Sequence, residues 1–361
     1  MVNSIKLATL PATGGQAFGE ANYVVTVGYG TPKKNQTVIF DTGSDVSWVQ
    51  CKPCVITCFR QREPLFDPSE SSSYRNISCG APECAALTSR GCSSSTCLYG
   101  VTYGDNSTTV GFLARETLTL TPSDVVENFV FGCGQDNRGL FGTTAGLLGL
   151  GRGILSLVSQ TDNYFGGLFS YCLPPPSSSS RTGHLTLGVT KATKNISYTP
   201  LNLNLETFYY LDLVGISVGG LLLPINASVF SNAGTIIDSG TVITRLPSSA
   251  YTALRSAFKR GMSAYKSTPS ETSLLDTCYD FSGLDMITVP TIVFHFNGGT
   301  DMEVDVSGTL YGISGSRFCL AFAGNIDDTD LGIIGNVQQR NLEVVYDTRA
   351  GRVGFGPGPC A

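Results

Sequence analysis

Val38-Ile39-Phe40-Asp41-Thr42-Gly43-Ser44 is the stretch on which the reading of this 361-residue chain turns. Three apolar, β-favouring residues mark the end of a buried strand. The strand runs into a carboxylate and turns at once on a glycine. Gly43 marks a tight turn or the close approach of another backbone. A carboxylate at the end of a buried strand is costly unless it is hydrogen-bonded or functional. Thr42 and Ser44 put hydroxyls on either side that can satisfy it. A single copy of such a stretch reads best as a polar turn capping a strand.

A second copy follows 197 positions later. Thr235-Ile236-Ile237-Asp238-Ser239-Gly240-Thr241 repeats the order apolar strand, Asp, hydroxyl residue, Gly, hydroxyl residue. Each copy follows an aromatic-led strand, Tyr23 to Gly28 in one half and Tyr210 to Gly215 in the other. Each precedes a Gly-apolar-apolar-Gly stretch, Gly146-Leu147-Leu148-Gly149 and Gly332-Ile333-Ile334-Gly335. Features repeated in one order at similar spacing point to duplication of a β-rich unit.

Composition agrees. A chain of 361 residues exceeds what one hydrophobic core usually serves, so two lobes are expected. Forty-two glycines and 17 prolines between short alternating runs favour many short strands. Charged residues are 14% of the chain and the net charge is −5; no basic block suggests nucleic acid or an anionic membrane surface. No apolar run approaches the roughly 18 residues of a membrane span. Residues 1–6 lack the apolar core of a signal peptide. The 12 cysteines and the Asn-X-Ser/Thr sequons at Asn35, Asn76, Asn106, Asn195 and Asn226 favour an oxidising, secretory route. A zinc site at Cys51-x2-Cys54 competes weakly, because no second such pair follows. The only histidines, His184 and His295, read as ordinary surface or core residues.

Residues 1–19 show little pattern and read as a flexible leader or the stub of a pro-segment. The N-terminal lobe is expected over 20–176 and the C-terminal lobe over 177–361. The serine-proline run 174–180 reads as the linker. Residues 51–97 hold seven cysteines and little apolar material, so cross-links must hold this insert together. Seven is odd, so at least one bridge leaves the segment if all are paired. Cys278 and Cys319 bracket a strand-rich stretch and are expected to pair; the remaining connectivity stays open. A β-hairpin is expected over 97–120, turning at Gly104-Asp105-Asn106-Ser107. Tyr103, at its shoulder, is either a structural tyrosine or part of a mobile flap. Trp48, the sole tryptophan, is either core packing or an indole N–H donor near a site. Ser156 caps a short helix. Ser248 starts a longer one with Tyr251, Leu254, Ala257 and Phe258 on one face. Residues 185–246 read as strands.

Asp41-Thr42-Gly43-Ser44 and Asp238-Ser239-Gly240-Thr241, each with its later apolar-apolar-Gly, resemble the paired active-site motifs of pepsin-type aspartic endopeptidases. The resemblance extends over about 20–360. It includes Tyr103-Gly104-Asp105 as the flap, set within 97–118, and Trp48 seven positions after the first Asp. The cysteine-rich block is similar to that of the nepenthesin-like branch found in plants, and there is no room for the saposin-like insert of other plant members.

The resemblance implies an all-β, bilobal, pepsin-like double barrel with pseudo-two-fold symmetry and a central cleft. It implies that Asp41 and Asp238 share one proton and activate a water that attacks the peptide carbonyl, as in the aspartic-protease dyad that serves as a general example of coupled carboxylates. No metal, cofactor or covalent intermediate is implied. Thr42 and Ser239 hold the loops, Gly43 and Gly240 admit backbone to the carboxylates, and Ser44 and Thr241 bond the outer carboxylate oxygens. Tyr103 closes over substrate, supported by Trp48. Ser239 stands where many relatives have threonine, and Asn106 where glycine is common.

The implied activity is hydrolysis of extended polypeptides at acid pH by a monomeric, secreted or vacuolar enzyme. The alternative is a catalytically inactive relative that binds or inhibits another protein, since fold does not guarantee function. Such relatives usually lose part of the dyad, whereas both Asp, both Gly and Tyr103 are present here. A secreted carbohydrate-binding module would fit the composition but not the repeat.

Overall fold

The structure, a computed structural model, describes residues 5–176, 182–188, 195–203, 207–358 and 360. It divides into two compact units, Met1–Tyr171 with Thr182–Lys191, and Cys172–Arg181 with Ala192–Ala361. Ser177–Ser180, part of the stretch read as a linker, lies outside the described residues.

The first unit is built around a closed ring of strands. Tyr23–Tyr29 pairs antiparallel with Lys34–Asp41. Gly146–Gly149 lies parallel to Lys34–Asp41, with Gly149 opposite Asp41, and antiparallel to Trp48–Gln50. Trp48–Gln50 runs parallel to Asp124–Arg138, which pairs antiparallel with Thr108–Thr121. Thr108–Thr121 then returns to Tyr23–Tyr29, with Leu118 opposite Tyr29. Closure removes the open edges that would otherwise template aggregation. It also explains why Tyr23–Tyr29 is apolar on both faces, with six of its seven residues buried. Trp48, fully buried, packs inside with Val24, Ile39, Leu113 and Leu147.

The second unit repeats the central topology. Thr235–Ile237 lies parallel to Gly332–Ile334, and Arg245 of strand Thr244–Leu246 pairs antiparallel with Ile333. In each unit, therefore, a later Gly-led strand slides between the two strands that flank an aspartate loop. The helix Ser248–Gly261 buries Ala250, Tyr251, Leu254 and Phe258, while Ala257 is only half-buried. Among the described residues no helix is long and apolar enough to cross a membrane.

Two expectations need correction. Residues 5–19 are not a loose leader. Leu7–Gly14 is a strand that pairs with Gly183–Gly188 and with Tyr23–Tyr29, and Gly15–Phe18 forms a 3-10 turn. Ala8, Leu10 and Ala12 are buried in strict alternation. Pro11 and the small side chains hid this strand, because proline within a run argues against one. Nor is 185–246 all strand. Ala227–Ala233 is a helix, started by the Asn226 side chain, which accepts from the Ser228 N–H.

All 12 cysteines are paired. Cys51–Cys133 is the bridge that leaves the insert and ties it to the strand Asp124–Arg138. Cys54–Cys58, Cys79–Cys92 and Cys84–Cys97 close the insert on itself, so Cys51 and Cys54 are spoken for and no zinc pair exists there. Cys278–Cys319 links directly opposed residues of neighbouring antiparallel strands. Cys172–Cys360 is the sixth bridge.

Candidate active site

Asp41 is the last residue of its strand and only 5% exposed. Its carboxylate is answered locally. The Gly43 N–H donates to Oδ1 at 2.8 Å and the Ser44 hydroxyl donates to Oδ2 at 2.5 Å. Asp238, 8% exposed, has the same arrangement: the Gly240 N–H donates to Oδ1 at 2.8 Å and the Thr241 hydroxyl to Oδ2 at 2.6 Å. Hydrogen bonds to an ionised acceptor are stronger than neutral ones, and each cradle offsets the cost of burying its carboxylate. Thr42 and Ser239 are fully buried beside their aspartates.

Both loops are held from behind by the inserted strand. The Gly149 N–H donates to Ser47 Oγ at 3.0 Å, and the Gly335 N–H to Thr244 Oγ1 at the same distance. Each hydroxyl residue lies six positions after its aspartate. A Cβ on Gly149 would stand 2.4 Å from Asp45 O, and one on Gly335 2.7 Å from Val242 O. Asp45 and Val242 each lie four positions after an aspartate, so both glycines are required by the same close backbone approach. These hydroxyls and contacts are the parts of the site that motif reading passed over. The signal was present, since Ser47 and Thr244 repeat at one offset, but it has meaning only once the Gly-led strands are known to pack there.

The Thr96–Thr102 and Thr108–Thr121 hairpin turns through Gly104, Asp105 and Asn106, all exposed. Asp105 stiffens the turn by accepting from the Ser107 N–H and hydroxyl, each at 2.8 Å. Asn106 sits at φ 68°, a left-handed conformation that asparagine tolerates better than most residues. The hairpin base is fixed by Tyr99 Oη to Thr109 Oγ1 and by Thr109 Oγ1 donating to Asn137 Oδ1, both at 2.7 Å. Tyr103, half-buried at the shoulder, accepts from Trp48 Nε1 at 2.7 Å. Phe141 packs edge-on against both rings. Burial pushes the Tyr103 phenol well above its ordinary range, and the negative charge of Asp41 pushes it further. The first unit thus brings together Asp41, Ser44, Trp48 and Tyr103. In the second unit, His295 lies between Asp301 and Ser217.

Comparisons with known proteins fit this geometry. Residues 23–189 match the family described as xylanase inhibitor N-terminal, and 208–357 its C-terminal counterpart. The aspartyl protease AED1 of Arabidopsis thaliana is 53% identical over 360 residues, covering 99% of this chain and 76% of that protein. Aspartic proteinase nepenthesin-1 of Nepenthes gracilis is 39% identical over 354 residues, covering 95% and 79%. Among solved structures, basic 7S globulin from soybean superposes with a TM-score of 0.78 at 20% identity, covering 98% of this chain and 96% of that one. At that identity the likeness concerns the fold.

Proposed function

The chain belongs to the plant family of pepsin-like aspartyl proteases, and we propose that it is an active endopeptidase working through Asp41 and Asp238. The observation that carries the reading is the repetition of one carboxylate cradle, glycine N–H on Oδ1 and hydroxyl on Oδ2, at two aspartates 197 positions apart. Two carboxylates acting on one water cannot both ionise cheaply, so the pair holds one proton between them. The ionised partner takes a proton from the water as it attacks the peptide carbonyl, and the protonated partner donates to the carbonyl oxygen. The titrations belong to the pair and not to either residue. Tyr103 and Trp48 form the flap side of the substrate site, with Gly104 and Asp105 at the tip, over an extended polypeptide held by strand-like hydrogen bonds. Each compact unit supplies one aspartate, Asp41 from the first and Asp238 from the second, so the division falls after Tyr171, not after residue 176, and Gly183–Gly188 belongs with the first half. The six bridges support a secretory route, with the five sequons as glycan acceptors.

The second reading, a binding or inhibitory protein without catalysis, is favoured by the xylanase-inhibitor description of the matching family. Cleavage of denatured protein below about pH 5, where one carboxyl of the pair is protonated, separates the two. Cleavage should be blocked by a statine-type transition-state mimic and abolished in Asp41→Asn and in Asp238→Asn, with thermal unfolding almost unchanged. A wild-type protein with no cleavage at any pH would leave the binding reading standing.

A further inference from the structure

Backbone N–H groups reach both aspartate loops from behind, in the second unit from Asn336 to Thr241 O at 2.7 Å and from Val337 to Val242 O at 3.2 Å, but the side chains that add to this grip differ. In the second unit they are buried neutral amides. Asn336 Nδ2 donates to Ser239 O at 3.0 Å, and Gln339 Nε2 donates to Asp238 O at 3.1 Å and Ile334 O at 2.9 Å. In the first unit the stretch after Gly149 is Leu150-Gly151-Arg152-Gly153, which has no amide side chain. There the donors are backbone groups pointing into the loop. The Leu150 N–H donates to Asp41 O, the Gly151 N–H to Ser44 O and the Gly153 N–H to Asp45 Oδ1, each at 2.8 Å. Asp45 is the one loop side chain among these acceptors.

The facing backbone is shaped around that side chain. A Cβ on Gly151 would lie 2.3 Å from Asp45 Oδ1, and one on Gly153 2.3 Å from Asp45 Oδ2. With Gly149 against Asp45 O, three alternate glycines close on a single residue. In the second unit the corresponding position is Val242, and the residues two and four beyond Gly335 are Val337 and Gln339. The glycine cradle is therefore particular to the first half.

Resting on the protease reading of Asp41, we propose that Asp45 is a positioning residue. Its carboxyl, docked on the Gly153 N–H between Gly151 and Gly153, holds Ser44 and thereby the Asp41 carboxylate in register. It does in the first half what Asn336 and Gln339 do in the second. The required property is an acceptor of carboxyl shape, not a charge, so asparagine serves and alanine does not. Besides Asp45, the charged residues of the loop 41–47 and the facing segment 149–153 are Asp41 and Arg152.

The test uses the full-length protein and a peptide substrate at acid pH, together with amide hydrogen exchange of residues 41–45 read by mass spectrometry. Asp45→Ala should lower kcat by roughly 10- to 100-fold, the scale of a misplaced catalytic group, with KM little changed. Asp45→Asn should stay within about three-fold of wild type, since Oδ1 still accepts. Gly153→Ala, which forces Asp45 out of its seat without altering it, should copy the alanine variant in both kcat and exchange. Amide exchange in 41–45 should rise in Asp45→Ala and return to the wild-type rate in Asp45→Asn. Unchanged kcat and exchange in Asp45→Ala would overturn the proposal, as would an asparagine variant as impaired as the alanine one. A wild type that cleaves nothing would instead refute the protease reading, and the exchange arm alone would then decide whether Asp45 holds the loop.

Discussion

Replacing Thr244 by valine tests the construction of the site without relying on any assay of activity. Thr244 is fully buried. Its Oγ1 accepts from the Gly335 N–H at 3.0 Å and donates to Gln338 Oε1 at 2.5 Å. Valine keeps the shape and removes both bonds. Gln338 Oε1 retains the Thr244 N–H at 3.2 Å, and its amide hydrogens still reach Gly308 O and Ala321 O. The main damage is therefore one orphaned N–H at Gly335, in a place water does not reach. Leaving that donor unpaired costs about 1–3 kcal/mol, and losing the net value of the second bond adds about 1 more. The expected loss is about 2–4 kcal/mol, which at about 2–4 °C per kcal/mol lowers the melting temperature of the second unit by about 4–16 °C. Thr244→Ser keeps the hydroxyl and gives up one methyl, about 1 kcal/mol. Scanning calorimetry of the two variants side by side reads the difference. A valine variant as stable as wild type, or more stable than the serine variant, would show that the hydroxyl is not what holds Gly335.

Asp45 gives a pH signature. Burial holds its carboxyl above the ordinary value of 3.8, opposed by the Gly153 N–H, so the folded state binds the proton more tightly than the unfolded one. Stability on this account is greatest below pH 3.8 and is lost as pH rises through the raised folded value. The melting temperature of Asp45→Asn relative to wild type should therefore grow with pH to a plateau, and a gap that shrinks instead would contradict the assignment. Tyr103 should show no phenolate absorbance near pH 10, where an unperturbed tyrosine is half-ionised; comparing ultraviolet titrations of wild type and Tyr103→Phe isolates it, and a difference step near pH 10 would place the ring in solvent. The double variant Cys278→Ser/Cys319→Ser opens a loop of sequence separation 41, worth about 4 kcal/mol in the chain-entropy account, and should lower the denaturant midpoint of the second unit accordingly. Alkylation of denatured, unreduced protein should label no cysteine, and any labelled thiol would break the six-bridge pattern.

What could be read from sequence followed the range of the forces involved. The duplicated aspartate stretches were legible because strand, turn and hydroxyl chemistry are local, and Gly43 and Gly240 lie two residues from the carboxylates they serve. Ser156 capping its helix by accepting from the Ser159 N–H is likewise local, as is the apolar face of Ser248–Gly261. The Cys278–Cys319 pairing followed from two cysteines bracketing strands. The bridges of the insert did not, because seven cysteines within 51–97 compete for one another and at least one must pair outside. Leu7–Gly14 escaped because its buried alternation uses alanines and one of its exposed positions is Pro11, and its partner Gly183–Gly188 is far along the chain. The glycine seat of Asp45 was invisible for the same reason. Gly153 bonds to it across 108 positions, and nothing in Gly149-Leu150-Gly151-Arg152-Gly153 says what the glycines make room for.

The placement of Leu7–Gly14 bears on how the protein can be trimmed in the cell. Along Leu7–Ala12 this strand pairs with Gly183–Gly188, and at Thr13–Gly14 with the start of Tyr23–Tyr29. Loss of the segment up to Gly14 would leave the paired edge of Gly183–Gly188, and the first residues of Tyr23–Tyr29, without their partners, an open edge ready to recruit a foreign strand. A cut that keeps both pairings therefore falls before Leu7, and peptide mapping of the N-terminus of the purified protein checks that limit.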